Sequence, residues 1–356
     1  MPDSPSDGAS RQGVTVPAAR RRAARDLADV LRPGMRVLLT THVNADGDGV
    51  GSQVALWHVL HRLGLYPVIG NPTPYPERYR FLLAGADGAE QSGRAVREIA
   101  RADLILVLDI SDLGRLGHLA SHITARHGPV ACIDHHQSNG SLPPGPRLVD
   151  PAASATGELV YDLSRTARWI LPPEAARALY VALLSDTGGF RFSNTSPRAL
   201  QVAAHLLTHG LDPEAIYSAV YAGVPEGRVR LLGEALETLA VEVPPGLAWI
   251  TVPPGALERH GVSSDELDGV VEFARSIAGV RLAMLFRQLA GGKVKVSFRS
   301  VGDVDVARLA ETFGGGGHKK AAGASLDGTM ADAQATVLAA ARKTLESGPA
   351  PGVSAA

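Results

Sequence analysis

An imidazole and two carboxylates, His42, Asp46 and Asp48, fall within seven residues in the stretch HVNADGDGVGS. Asn-Ala-Asp-Gly-Asp is also ordinary turn chemistry, so this stretch decides nothing by itself. The pattern recurs, however. Asp109 closes the apolar run ADLILVLD, Asp134-His135-His136 closes PVACIDHH, and Asp186 ends ALYVALLSD just before Thr-Gly-Gly. If Asp46, Asp48, Asp109 and Asp186 share one cleft with His42 and His135, the carboxylates repel one another unless they are protonated or neutralised. Divalent cations provide the neutralising charge. Cys132 is the single cysteine, which excludes a thiolate zinc site. Mixed oxygen and nitrogen donors suit Mn²⁺, Mg²⁺, Co²⁺ or Fe²⁺. Six donors are too many for one catalytic ion with open positions. They suffice for two ions sharing a carboxylate at about 3.5–4 Å, an arrangement that polarises phosphoryl oxygens and acidifies water. Successive residues leaving a strand point to opposite sides, so His135 is expected to be a ligand and His136 to face substrate.

Such side chains need a scaffold that delivers them to one place. RVLLTTH, YPVIGN, ADLILVLDI and PVACIDHH read as short buried strands. GVGSQVALWHVLHRLG, segments near 92–100 and 117–126, ATGELVYDLSRTARW and PEAARALYVALLSDTGGF read as helices, and AARDLADVLRP as a short helix ended by Pro33. Strands alternating with helices predict an α/β fold, a parallel sheet with helices on both faces. Ligands of such sheets bind at the carboxyl ends of the strands, where the acids and histidines fall.

The texture changes near residue 225. LETLAVEVPPGLAWITVP and VRLAMLFRQLAGGKVKVSFRS read as hairpins turning at Pro244-Pro245-Gly246 and Gly291-Gly292. With the helices DELDGVVEFARSIA, VDVARLAETF and MADAQATVLAAARKTL, they predict a smaller α/β domain. The expected organisation is residues 20–222, residues 223–346, and flexible tails at 1–19 and 347–356, with the active site in the cleft between the domains.

Charge is unevenly spread. The net charge is −1, yet residues 281–323 hold eight basic residues against three acidic ones, leaving the remainder acid-rich. That concentration predicts that an anion is gripped there. Gly314 to Gly317 would let backbone N–H groups approach the anion as a nest. His318, Lys319 and Lys320 are expected at a helix N-terminus, and Arg299 would add a bidentate grip. Arg191 and Arg115 are further candidates for substrate contact. No window is apolar over the roughly 18 residues a membrane span needs. MPDSPSDGASRQG lacks a secretory apolar core, so the expected location is the cytoplasm and no membrane partner is expected.

Taken in order, HVNADGDGVGS, LDISDLGRLG, CIDHHQSN and LLSDTGGFRFSNT resemble the four motifs of the DHH phosphoesterase superfamily, and FGGGGHKKAAG resembles the signature of its DHHA1 domain. The resemblance covers roughly residues 20–345 and implies a two-manganese phosphoester hydrolase. It implies that His42 and Asp46 hold one ion, that Asp48, His135 and Asp186 hold the other, and that Asp109 bridges them. It further implies that Asp134 orients from behind and that His136 touches the scissile phosphate. Ala45 departs from the proline common at that position, which alters turn stiffness but no ligand.

Family II pyrophosphatases have a different second domain, RecJ-type exonucleases add an OB-fold, and membrane-type cyclic-di-AMP phosphodiesterases add spans and sensors. A compact two-domain chain is most similar to the bifunctional nanoRNase/pAp phosphatase (NrnA) type. The expected substrates are therefore short RNA, short single-stranded DNA and pAp. The alternatives are a RecJ-like 5′→3′ DNA exonuclease, a pApA or cyclic-dinucleotide phosphodiesterase, and a catalytically silent nucleotide sensor. A homodimer is compatible with the sequence, which sets no oligomeric state.

Overall fold

The computed structural model describes residues 14–110, 112–137, 141–267, 269–289 and 291–346. The chain divides after Gly223 into two compact units. The first opens with α1 (Ala18–Ala28), β1 (Arg36–Thr40), α2 (Gly47–Arg62) and β2 (Tyr66–Ile69). It continues with α3 (Ala95–Arg101), β3 (Leu104–Leu108), α4 (Leu119–Thr124), β4 (Val130–Asp134) and β5 (Arg147–Val149). Four helices complete it: α5 (Thr156–Thr166), α6 (Pro173–Asp186), α7 (Pro197–Leu207) and α8 (Pro213–Tyr221).

The five strands form one parallel sheet in the order β2-β1-β3-β4-β5. Every residue of β3 and β4 is buried, as unbroken apolar runs in a parallel sheet require. This strand order places the topological switch between β1 and β3, where doubly wound sheets open a crevice beyond the strand ends. Helix α2 is buried from Gly47 to Leu60 and packs closely on α6. A β-carbon at Gly51 would stand 2.5 Å from the Ala178 carbonyl oxygen, so only glycine permits this approach.

Helix α1 occupies Ala18–Ala28 rather than running on to Pro33, so residues 14–19 of the expected tail belong to the folded unit, while 1–13 and 347–356 lie outside the described residues. The Val14 N–H donates to the Tyr161 hydroxyl at 3.0 Å, and Val16 is buried. The reason lies in Arg20, whose guanidinium is buried and bonds Asp150 (2.5 Å), Glu158 (2.6 Å) and Asp162 (2.8 Å). Arg198 joins Glu158 and Asp162 from α7. Burial disfavours the Arg20 cation, but its three carboxylate bonds outweigh that, and its pKa rises. Arg20→Met would strand buried carboxylates, and is expected to lower unfolding stability by about 3 kcal/mol in urea titration.

The second unit contains α9 (Glu226–Leu236), β6 (Ala240–Glu242), β7 (Leu247–Thr251), α10 (Ala256–His260) and α11 (Val270–Arg275). After them come β8 (Leu282–Leu289), β9 (Lys293–Ser300), α12 (Val306–Glu311), β10 (Gly316–His318), β11 (Ala321–Asp327) and α13 (Met330–Glu346). Its mixed sheet runs β10-β11-β9-β8-β7-β6, and both expected hairpins are present as β6–β7 and β8–β9. The expected helix start at residues 318–320 is instead the turn of a third hairpin, in which Gly316 pairs with Gly323 and His318 with Ala321. Among the described residues, no helix is long and apolar enough to cross a membrane.

Candidate metal centre

Two residues beyond β1, His42 is buried with its Nδ1 2.8 Å from the Val43 carbonyl oxygen. The Nδ1–H donates there, which leaves the Nε2 lone pair bare. Asp46 is the N-cap of α2: its Oδ1 accepts the Asp48 and Gly49 N–H groups at 3.0 and 3.1 Å. Its Oδ2 faces His42 Nε2 at 3.8 Å. Turn chemistry and ligand chemistry are thus divided between the two oxygens of one side chain.

Asp48, in the first turn of α2, is held by another helix. The Thr156 and Gly157 N–H groups at the start of α5 donate to its Oδ2 and Oδ1 at 2.6 and 2.9 Å, an arrangement the helix dipole favours. Asp109 follows β3 with φ +59°, a left-handed conformation that costs energy in most non-glycine residues. Its Oδ1 accepts the Thr156 hydroxyl at 3.0 Å. His135 leaves β4 with Nδ1 3.3 Å from the Ala153 carbonyl oxygen. Asp186 ends α6, and its Oδ2 accepts the Asn194 amide at 3.2 Å.

The structure brings His42, Asp46, Asp48, Asp109, His135 and Asp186 together in three overlapping groups, His42–Asp46–Asp109, Asp48–His135–Asp186 and Asp109–His135–His136. Asp109 thus stands with His42 on one side and with His135 and His136 on the other. Asp109 Oδ2 lies 3.5 Å from His42 Nε2, and Oδ1 lies 3.7 Å from His135 Nε2. His135 Nε2 is also 3.7 Å from Asp48 and 3.6 Å from Asp186. Neither His42 Nε2 nor His135 Nε2 has a hydrogen-bond partner, although both atoms are buried. A buried polar atom without a partner costs free energy, and two aimed at carboxylates across a gap of over 3 Å fit a cation placed between them.

The charge state points the same way. Burial pushes Asp48 well above the usual carboxylate range, with Asp109, Asp186 and Asp46 adding repulsion. Burial also raises Asp186, to about 6, against the opposing pull of His135. Burial would raise Asp109 too, but its 3.5 Å approach to His42 and the nearby imidazoles win and lower it. His42 is raised because its Asp109 contact outweighs burial. A carboxylate set that resists full ionisation without added positive charge, and whose donors are oxygen and imidazole nitrogen, fits hard or borderline divalent metals.

His135 and His136 do not face opposite sides as expected. Their ring centroids are 4.5 Å apart, and His136 Nδ1 is 3.6 Å from Asp109 Oδ1. Strand β4 ends at Asp134, so the alternation that separates neighbouring side chains no longer holds. Hydrogen bonding distinguishes them instead. Asp134, fully buried, accepts the His136 backbone N–H at 3.1 Å and its Nδ1–H at 2.8 Å, leaving Nε2 of His136 outward.

Arg115 lies beside this pair, close enough for its charge to oppose protonation of His136, and its carbonyl accepts the Val43 N–H at 2.8 Å. Arg191 follows Asp186, with its Nε–H donated to the Gly188 carbonyl at 2.8 Å. Arg299 sits on β9 and bonds Glu272 at 3.1 Å. Lys319 is exposed at the turn between β10 and β11; the His318 side chain lies outside the described residues. Two of the glycines have a packing cause. Added β-carbons at Gly315 and Gly317 would stand 2.2 and 2.5 Å from carbonyl oxygens of β11, whereas at Gly316 one would meet nothing within 4 Å. Thr156 and Asn194, which position three of the carboxylates, escaped the sequence reading.

The first unit matches the N-terminal domain of the DHH family over residues 36–183, and the second matches the DHHA1 domain over 248–347. The Thermus thermophilus bifunctional oligoribonuclease and PAP phosphatase NrnA is 33% identical, over 87% of this chain and 90% of its own. The chain belongs to the DHH phosphoesterase family. The Bacillus subtilis protein of the same name is 28% identical over 82% of this chain and 89% of its own. Among solved structures, an exopolyphosphatase-related protein from Bacteroides fragilis superposes with a TM-score of 0.84 at 26% identity, covering 94% of this chain and 98% of that one. Thermus thermophilus RecJ in complex with Mn²⁺ has a TM-score of 0.52 at 18% identity, covering 96% of this DHH chain and 57% of that one, and shares the fold.

Proposed function

We propose that this DHH protein is a cytoplasmic, manganese-dependent hydrolase that trims very short oligonucleotides from an end and converts pAp to AMP and phosphate. The observation that carries the reading is the pair of bare, buried Nε2 atoms of His42 and His135 on either side of Asp109. In this reading His42, Asp46 and Asp109 hold one cation, and Asp48, His135, Asp186 and Asp109 hold the other. Two such ions, if bound there, would supply Lewis-acid polarisation of phosphoryl oxygens and would lower the pKa of water toward neutrality.

The chain's own groups do the rest. Asp134 holds Nδ1–H of His136, so Nε2 of that ring is presented to a phosphate oxygen or leaving group. Thr156 and Asn194 fix the carboxylates before substrate arrives, so little reorganisation is left for the reaction itself. Arg115 and Arg191 supply positive charge in the first unit. Lys319 and Arg299 supply positive charge in the second, Arg299 while bonded to Glu272. The expected glycine nest is not open to an anion, because the Gly314 and Gly315 N–H groups are donated to the Glu311 and Ala310 carbonyls at 3.0 and 2.9 Å and Gly316–His318 pair with β11. The names of the two relatives, bifunctional oligoribonuclease and PAP phosphatase, support this substrate class.

The test is a Mn²⁺ time course on end-labelled RNA and DNA of 2 to 24 nucleotides, with pAp alongside. Dimers to tetramers are expected to be cut at least several-fold faster than 24-mers, and pAp to lose one phosphate. Equal or faster cleavage of 24-mer DNA, with pAp untouched, would favour a repair exonuclease.

A further inference from the structure

Helix α8 carries Tyr217 and Tyr221 one helical turn apart, with ring centroids 4.9 Å apart. They are 53% and 37% exposed, a cost in apolar surface that helix packing does not explain, since Ile216 and Val220 supply the buried face. Their position is fixed relative to the metal centre. The Tyr221 hydroxyl donates to the Leu184 carbonyl at 3.1 Å, two residues before Asp186. Helix α8 also packs on the turn at Glu77–Leu83, where Tyr79 lies against Ser185 and Gly47, beside Asp46 and Asp48.

Two cations flank these rings. The Arg78 guanidinium lies over the Tyr79 ring, 5.2 Å from its centroid, and Arg191 extends from the segment after Asp186. Both act on the Tyr221 phenol. Among the described residues, neither guanidinium pairs with a carboxylate. Exposed aromatic faces beside guanidiniums that have no carboxylate partner are the chemistry that binds single-stranded nucleotides, rings for bases and arginines for phosphates.

We propose that Tyr217 and Tyr221 form a stacking platform for a base of the nucleotide whose phosphate reaches the metal centre, with Arg78 and Arg191 gripping its backbone. This rests on the nucleotide-hydrolase reading above. The platform is indifferent to base identity, because every base offers a π-face, and it makes the enzyme sensitive to whether a base is present at all.

The experiment uses the full-length protein and a dinucleotide carrying 2-aminopurine, whose fluorescence is quenched on stacking, beside the same dinucleotide with an abasic site. Wild type is expected to bind and quench the first. Tyr217→Ala is expected to weaken that binding, and raise KM for it, roughly 5- to 100-fold, while barely changing the abasic compound. Tyr217→Phe should restore binding. Arg78→Ala should weaken both compounds alike. Failure of wild type to bind or quench the 2-aminopurine dinucleotide overturns the platform whatever the turnover. So does equal loss on both compounds in Tyr217→Ala, or a fall in that variant's assembly mass with binding intact, which would make the face a contact between copies. Binding and quenching without hydrolysis of either compound would keep the platform and reject the proposed function.

Discussion

Asp109→Ala is expected to abolish hydrolysis, by at least about 10³-fold, and to empty both cation positions together. Its two oxygens face different imidazoles, Oδ2 toward His42 and Oδ1 toward His135, at 3.5 and 3.7 Å. Among the described residues, no other carboxylate lies within 4 Å of both His42 Nε2 and His135 Nε2. Removing it also releases the Thr156 hydroxyl, which bonds Oδ1. The measurement is manganese content by elemental analysis after gel filtration, beside turnover of a dinucleotide. Retention of one full equivalent of metal would show that the groups bind independently, and would remove the shared carboxylate from the scheme. Circular dichroism should stay native, because relief of buried negative charge offsets the lost contacts.

His136→Ala is expected to keep its metal and lose roughly 10²–10⁴-fold in turnover, the range for a positioned proton-transfer or phosphate-contacting group. The warrant is the grip of Asp134 on both the backbone N–H and Nδ1 of His136. That grip occupies the nitrogen nearest Asp109 and leaves Nε2 for chemistry. A parallel fall in manganese content would instead count His136 among the ligands, as its 3.6 Å approach to Asp109 makes geometrically feasible.

The parallel sheet was readable because β1, β3 and β4 are short apolar runs, each followed at once by a group that has no business in a core. Those same endings made His42, Asp109 and Asp134-His135-His136 stand out. Thr156 and Asn194 did not, because a hydroxyl or amide that steadies a carboxylate leaves no spacing or charge signature. Arg20 was missed for a different reason. In Ala-Arg-Arg-Arg it looks like its solvated neighbours, and only contacts with residues 130 to 142 positions away bury it. The β10–β11 hairpin is not legible in the sequence, because His-Lys-Lys-Ala-Ala after glycine has the composition of a helix start. What decides it is the contact of Gly315 and Gly317 with the β11 backbone, which composition does not encode.

The long separation of Arg20 from its partners also has a consequence in time. A ribosome adds roughly 5–20 residues per second. Helix α1 therefore emerges several seconds before Asp150, Glu158 and Asp162 exist to receive its buried guanidinium. The site ligands are as spread out, His42 appearing early and Asp186 near the end of the first unit. During synthesis the nascent chain holds metal-binding groups that are not yet gathered, and a strand edge on β4 that awaits β5. The first unit thus completes itself late: α5 brings the carboxylates that receive Arg20, α6 brings Asp186 to the metal centre, and α7 then adds Arg198 to the ion-pair network.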